Sequence, residues 1–187
     1  MKFASLQAAV GVVFVGACAA PSARNWRDEL DARLASFGHR NVVAIVDSAY
    51  PVQSRESIET LATGGGQIEV LREVLDRVKR APHVRPKFTL DRELAYVPEA
   101  DAPGIDGYRA ELRELLTGAQ VEVLPHGEIL ASLDRTAQAF DVLVLKTDLA
   151  LPYTSVFVTL ECGYWSDDAE SRLRETMARE AREGVLR

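Results

Sequence analysis

GHRNVVAIVDSAYPVQS, residues 38–54, decides how the rest of the chain is read. His39 precedes an apolar, β-branched run from Val42 to Val46, Asp47 ends it, and a Ser-Ala-Tyr-Pro turn follows. A short continuous apolar run bounded by turn residues predicts a strand buried on both faces. Its carboxyl end, where open α/β sheets commonly build ligand sites, carries Asp47. His39 and Asp47 stand at the two ends of this strand, so they face one cleft only if other segments come to meet them.

Before this stretch, Trp26, Leu30, Leu34 and Phe37 recur at helical spacing with acids early in the run. This predicts an amphipathic helix over residues 25–37, ended by Gly38. Downstream, strands are predicted over residues 57–63, 84–90, 121–124, 142–145 and 155–160, with Pro86 placing the second of these at a sheet edge. Helices are predicted over 67–78, 108–116 and 128–139, and residues 91–107 read as a long ordered loop. The Thr63-Gly64-Gly65-Gly66 turn lacks the lysine and spacing of a phosphate-binding loop and reads as a flexible connection. Helices and strands alternate and the strongest strands are apolar throughout, which gives a three-layer α/β/α domain with a mostly parallel or mixed sheet. That domain spans residues 25–165, and the densely charged residues 166–187 form a C-terminal helix.

At 187 residues and 47% apolar composition the chain holds one domain with a real core. The net charge of −6 argues against a nucleic-acid surface. Residues 1–20 differ from the rest: one lysine, an apolar small-residue run and Ala-Cys-Ala-Ala-Pro-Ser-Ala at its end have the pattern of a secretory signal. Val15-Gly16-Ala17-Cys18 also resembles the bacterial lipobox, in which Cys18 would be lipidated; ordinary cleavage nearby and an uncleaved anchor are the alternatives. The expected location is therefore outside the cytoplasm, periplasmic or membrane-anchored, with the membrane reached only through such an anchor. Cys162 is left without an internal disulfide partner and reads as a small buried apolar residue.

Three scattered histidines without HExxH or paired-cysteine spacing make no metal set, and neither a GxSxG elbow nor a dinucleotide fingerprint is present. The polar groups at strand ends remain: His39, Asp47, His126 and Tyr153. Each has an ordinary role to set beside a functional one, His39 as a helix-end cap, Asp47 as a turn former, His126 as a helix start and Tyr153 as a half-buried aromatic.

Their combination resembles the D-ribose pyranase / L-fucose mutarotase (RbsD/FucU) family. Gly38-His39, the apolar strand, Asp47 and Ala49-x-Pro51 look like its opening motif. The run Val142 to Asp148, then Pro152-Tyr153-Thr154-Ser155, the strand after it and Gly163-Tyr164-Trp165 look like its closing one. The resemblance runs in order from about Asn25 to Trp165. It implies a cofactor-independent isomerase that interconverts anomers or ring forms of a free monosaccharide, assembled as a homo-oligomeric ring with sites near subunit contacts. It further implies His39 as the proton donor, with Asp47, His126, Tyr153, Thr154 and Ser155 around the sugar. Histidine suits that chemistry, because its ordinary pKa of about 6.5 lets it give and take protons near neutrality. The chain departs from the pattern at Asn41, where an acid is expected, at Ser155, in place of an asparagine, in the long 91–107 loop and in its expected export. Those departures admit a second reading, a non-catalytic carbohydrate-binding lipoprotein on the same fold.

Overall fold

The computed structural model describes residues 25–183. The expected signal segment, with Cys18, lies outside the described residues. Helix α1 (Trp26–Ser36) is capped by Asn25, whose side chain accepts from the Arg27 N–H at 3.1 Å, with Asp28 and Glu29 in its first turn. It stops at an extended Phe37, and the left-handed residue of the following turn is Arg40 (φ 84°), so Gly38 is not the left-handed cap expected of it. Asn41 closes that turn instead: its Oδ1 accepts from the Gly38 N–H (2.9 Å) and its Nδ2 donates to the Asp141 carbonyl (3.1 Å).

Six strands form one mixed sheet: β1 (Val42–Val46), β2 (Ile58–Ala62), β3 (Val84–Asp91), β4 (Val121–Leu124), β5 (Val142–Lys146) and β6 (Val156–Cys162), in the order β2-β5-β1-β6-β3-β4. β2, β5 and β1 run parallel, β3 and β4 run parallel, and β6 lies antiparallel between the two groups. Helices α1, α2 (Gln67–Lys79) and α3 (Ile105–Leu115) cover one face, packing Trp26, Leu30, Leu71, Val74, Ile105 and Leu112 on Val43, Ile45, Leu143 and Val158. Helix α4 (His126–Thr136) lies on the other, with Ile129 and Leu133 against Val42, Ala44 and Val144. The three-layer arrangement follows from strands such as β1, in which all five residues are buried and two faces must be covered. Helix α5 (Asp167–Glu183) stands in solvent, with Leu173 and Met177 exposed. Among the described residues no helix is long and apolar enough to cross a membrane.

Two expectations are corrected. β3 is an interior strand, although it carries Pro86. The Phe88 N–H donates to Gln120 O, so the nitrogen two residues earlier points to the same side. β4 does not begin pairing until Val121 meets Phe88, so the missing N–H of Pro86 faces a side where, among the described residues, no strand runs. The stretch 91–107 is also more structured than a loop. It contains a 3-10 turn (Arg92–Tyr96), and α3 starts at Ile105, three residues before the predicted start. Glu99 causes that early start, its carboxylate accepting from the backbone N–H groups of Gly104 (2.6 Å) and Asp106 (2.9 Å). A cap supplied from five residues upstream leaves no local capping pattern to read.

Candidate functional site

The carboxyl ends of β1, β5, β3 and β4 lie along one edge of the sheet, and β6 starts there. Val156 pairs with Ile45 of β1 on one side and with Leu90 of β3 on the other. Asp47 and Asp91 therefore flank the segment that enters β6, their strands about 10 Å apart across it. Thr154 and Ser155, both buried, lie in that segment, and Tyr153, 40% exposed, precedes them. Tyr153 has φ 58°, a left-handed conformation unusual for a bulky residue.

The loop is anchored from beneath. The Thr154 carbonyl accepts from the Tyr108 hydroxyl (2.6 Å) and from Gln67 Nε2. Gln67 Nε2 also meets the Tyr108 oxygen at 3.0 Å, and its Oε1 accepts from Thr147 Oγ1 at 3.3 Å. The Thr147 backbone N–H donates to the Val46 carbonyl at 2.9 Å, tying the end of β1 to the start of the loop. The Thr154 hydroxyl donates to Leu151 O, so both its oxygens are engaged within the protein. Asp47 makes a turn, accepting from the Ala49 N–H at 2.8 Å. Tyr50 folds back into the core, and Lys146 Nζ donates to its carbonyl at 2.7 Å.

His126 opens α4. Its backbone N–H lies 3.0 and 3.1 Å from the two carboxylate oxygens of Glu93, an acid well placed at a helix N-terminus. Its Nδ1 lies 3.0 Å from Asp91 Oδ1, and its ring meets that of Tyr153 edge to face at 5.5 Å. The Asp91 side chain is wholly buried, and its Oδ2 has no hydrogen-bond partner among the described residues. Burial pushes the Asp91 carboxyl above the ordinary range; His126 pulls it down, and the nearby charges of Glu93 and Asp47 push it up again. Burial likewise raises the hydroxyls of Tyr50 and Tyr108, which stay protonated as donors at neutral pH.

The Asp91 shift has a definite sign in stability. Between the ordinary aspartate value of about 3.9 and its raised value, the folded chain holds a proton that the unfolded chain has released, so the contribution of Asp91 is full below that window and falls as pH rises through it. Urea midpoints compared across this range should therefore show wild type losing stability relative to Asp91→Asn as pH increases. A difference that grows in the opposite direction contradicts the assignment.

Of the residues expected to surround a ligand, Asp47, His126, Tyr153, Thr154 and Ser155 come to this one edge. His39 does not join them within the chain. It is exposed in the turn before β1, and the neighbouring Arg40 N–H bonds Leu160 O near the far end of β6. The five residues of β1, at about 3.3 Å each, put about 16 Å of strand between it and Asp47. Asp91, Glu93, Gln67 and Tyr108 are site residues that sequence reading missed. Asp91 carried a usable signal, since it ends a strand as Asp47 does. Gln67 carried none. Among the described residues no cluster of three or more His, Cys, Asp or Glu is placed to hold a metal ion.

No protein-family model matches the sequence, and no curated protein matches it. Solved structures do match. The chain is similar to RbsD from Bacillus subtilis complexed with D-ribose, with a TM-score of 0.52 and 16% identity over 71% of this chain and 91% of that one. It is similar to FucU from Bifidobacterium longum, with a TM-score of 0.50 and 19% identity over 72% of this chain and 94% of that one. A fucose mutarotase from Streptococcus pneumoniae, in complex with L-fucose, aligns at a TM-score of 0.48 and 17% identity over 71% and 91% of the two chains.

Proposed function

From the premise that this chain has the fold of RbsD and FucU, we propose that it binds a free monosaccharide at the carboxyl edge of its sheet and speeds the exchange of its ring forms or anomers. The observation that carries this reading is the convergence of Asp47, the Asp91–His126 pair and Tyr153 on the edge where Thr154 and Ser155 enter β6. A carboxylate, an imidazole and a phenol are the groups that recognise sugar hydroxyls by directional hydrogen bonds. Opening a hemiacetal requires a proton on the ring oxygen and the loss of one from the anomeric hydroxyl. The reaction runs slowly in water, so positioning with general acid–base help is enough, and no step needs a cofactor.

In this reading His39 is the proton donor, and its distance from Asp47 within one chain means that a second copy delivers it, in a homo-oligomer. His39→Ala should then slow exchange about a hundredfold. Exchange NMR on a panel of aldoses measures this, with light scattering for the assembly; equal rates in variant and wild type remove His39 from the reaction. The non-catalytic alternative, a carbohydrate-binding protein, draws support from Asn41, which stands where the family pattern has an acid and is fully engaged in closing its turn. A pure binder broadens sugar signals without accelerating exchange. Export, with or without a lipid on Cys18, is part of the proposal, and incorporation of labelled fatty acid into wild type but not Cys18→Ser separates its two forms.

A further inference from the structure

We propose that His126 is the base that removes the anomeric proton and that Asp91 is the positioning residue that holds it in the required tautomer, an inference that rests on the ring-exchange reading above. An ionised carboxylate only accepts hydrogen bonds, so Asp91 Oδ1, at 3.0 Å, requires the proton on His126 Nδ1 and leaves the lone pair on Nε2. Nε2 has no hydrogen bond among the described residues, and the side chain, 35% exposed, lies edge to face with Tyr153. The backbone beneath the ring is held as well, by the Glu93 carboxylate at the first turn of α4.

Stability alone does not explain Asp91. Its carboxylate is wholly buried, its Oδ2 has no hydrogen-bond partner among the described residues, and burial pushes its carboxyl above the ordinary range. A buried carboxylate satisfied through one oxygen weakens a fold relative to an uncharged residue of the same shape. What it does supply is a fixed imidazole. The other two histidines lack this backing. His83 Nε2 is taken by the carbonyls of Leu34 and Phe37, and the His39 side chain makes no hydrogen bond among the described residues.

The step balances. His126 Nε2 takes the proton of the anomeric hydroxyl, the O–H electron pair becomes the second bond of the aldehyde, and the bond from the anomeric carbon to the ring oxygen breaks. Its electrons stay on the ring oxygen, which takes a proton from the acid on its other side, His39 of a second copy or water. Rotation and the reverse sequence close the other anomer or ring size and return both protons.

Long-range proton–nitrogen NMR of the nitrogen-15-labelled full chain tests the arrangement, the His126 signals being those lost in His126→Gln. Wild type should show Nδ1 protonated and Nε2 bare. In Asp91→Asn the amide donates to Nδ1, so the proton should move to Nε2, and ring exchange of whichever aldose the wild type accelerates should fall about tenfold or more with KM little changed. His126→Gln should lose as much, and its rate decides the question if Asp91→Asn does not fold. A wild-type proton on Nε2, or an unchanged rate in these variants, overturns the inference and leaves the ring-exchange reading standing. A wild type that accelerates no aldose brings down both.

Discussion

Gly163→Ala should destabilise the fold by about 3 kcal/mol, although the residue is exposed at the end of β6. A Cβ there would lie 2.5 Å from the Pro82 carbonyl oxygen, 2.8 Å from Val84 N and 2.9 Å from Val84 O. All three are backbone atoms, and the Gly163 N–H is itself bonded to the His83 carbonyl at 2.9 Å, so no side chain can swing aside to relieve the overlap. Either the β3–β6 pairing opens at Cys162 and Val84 or the turn at Pro82 moves. The control is Gly107→Ala, in the first turn of α3 with no other element among the described residues within 4 Å of the new methyl group, which should stabilise by up to about 1 kcal/mol through helix propensity. Urea unfolding of the two variants should give midpoints on opposite sides of wild type; a shift in the same direction for both refutes the steric argument.

The second large effect is expected beneath the loop. Gln67→Leu and Tyr108→Phe each remove one donor to the Thr154 carbonyl while leaving the other. Each single change should therefore be moderate, about 1–2 kcal/mol. Thr154 is fully buried, so the double variant strands its carbonyl without either of these donors and should exceed the sum of the singles by about 1–2 kcal/mol. On the sugar-binding proposal, affinity should fall in step, because the freed segment carries Tyr153 and Ser155. A double-variant cycle that is additive in both stability and binding would mean the two side chains do not act on one carbonyl.

β1 is legible to the residue because an apolar run between turn residues leaves periodicity little to misread, and β4 because its short β-rich stretch Val121-Glu122-Val123-Leu124 is bounded by Gly118 and Pro125. β3 was legible as a strand but not in its place, since Pro86 signals an edge and nothing in the sequence says that β4 starts two residues too late to need its N–H. At the site, Asp47, His126 and Tyr153 stand out as polar groups beside strand ends. Asp91 was absorbed into a loop because an acidic, proline-containing stretch follows it. Gln67 is one polar residue at a helix start, and only the fold shows its amide buried among Tyr108, Thr147 and Thr154. His39 and Asp47 stand at opposite ends of β1, a separation already legible in the sequence, which does not show what meets either of them.

β6 carries a consequence for how the chain comes together. Among the described residues it alone pairs with both groups of parallel strands, and it is the last strand in the sequence. While the polypeptide is being made, β1, β2 and β5 can associate, and so can β3 and β4, yet no strand joins the two sets until residues 156–162 appear. Loop-closure entropy is then paid across most of the domain at once, which makes the final docking the slow event of folding. Until it happens two open sheet edges are exposed, those of β1 and β3, and a chain stalled before Val156 presents them to its neighbours as templates for aggregation.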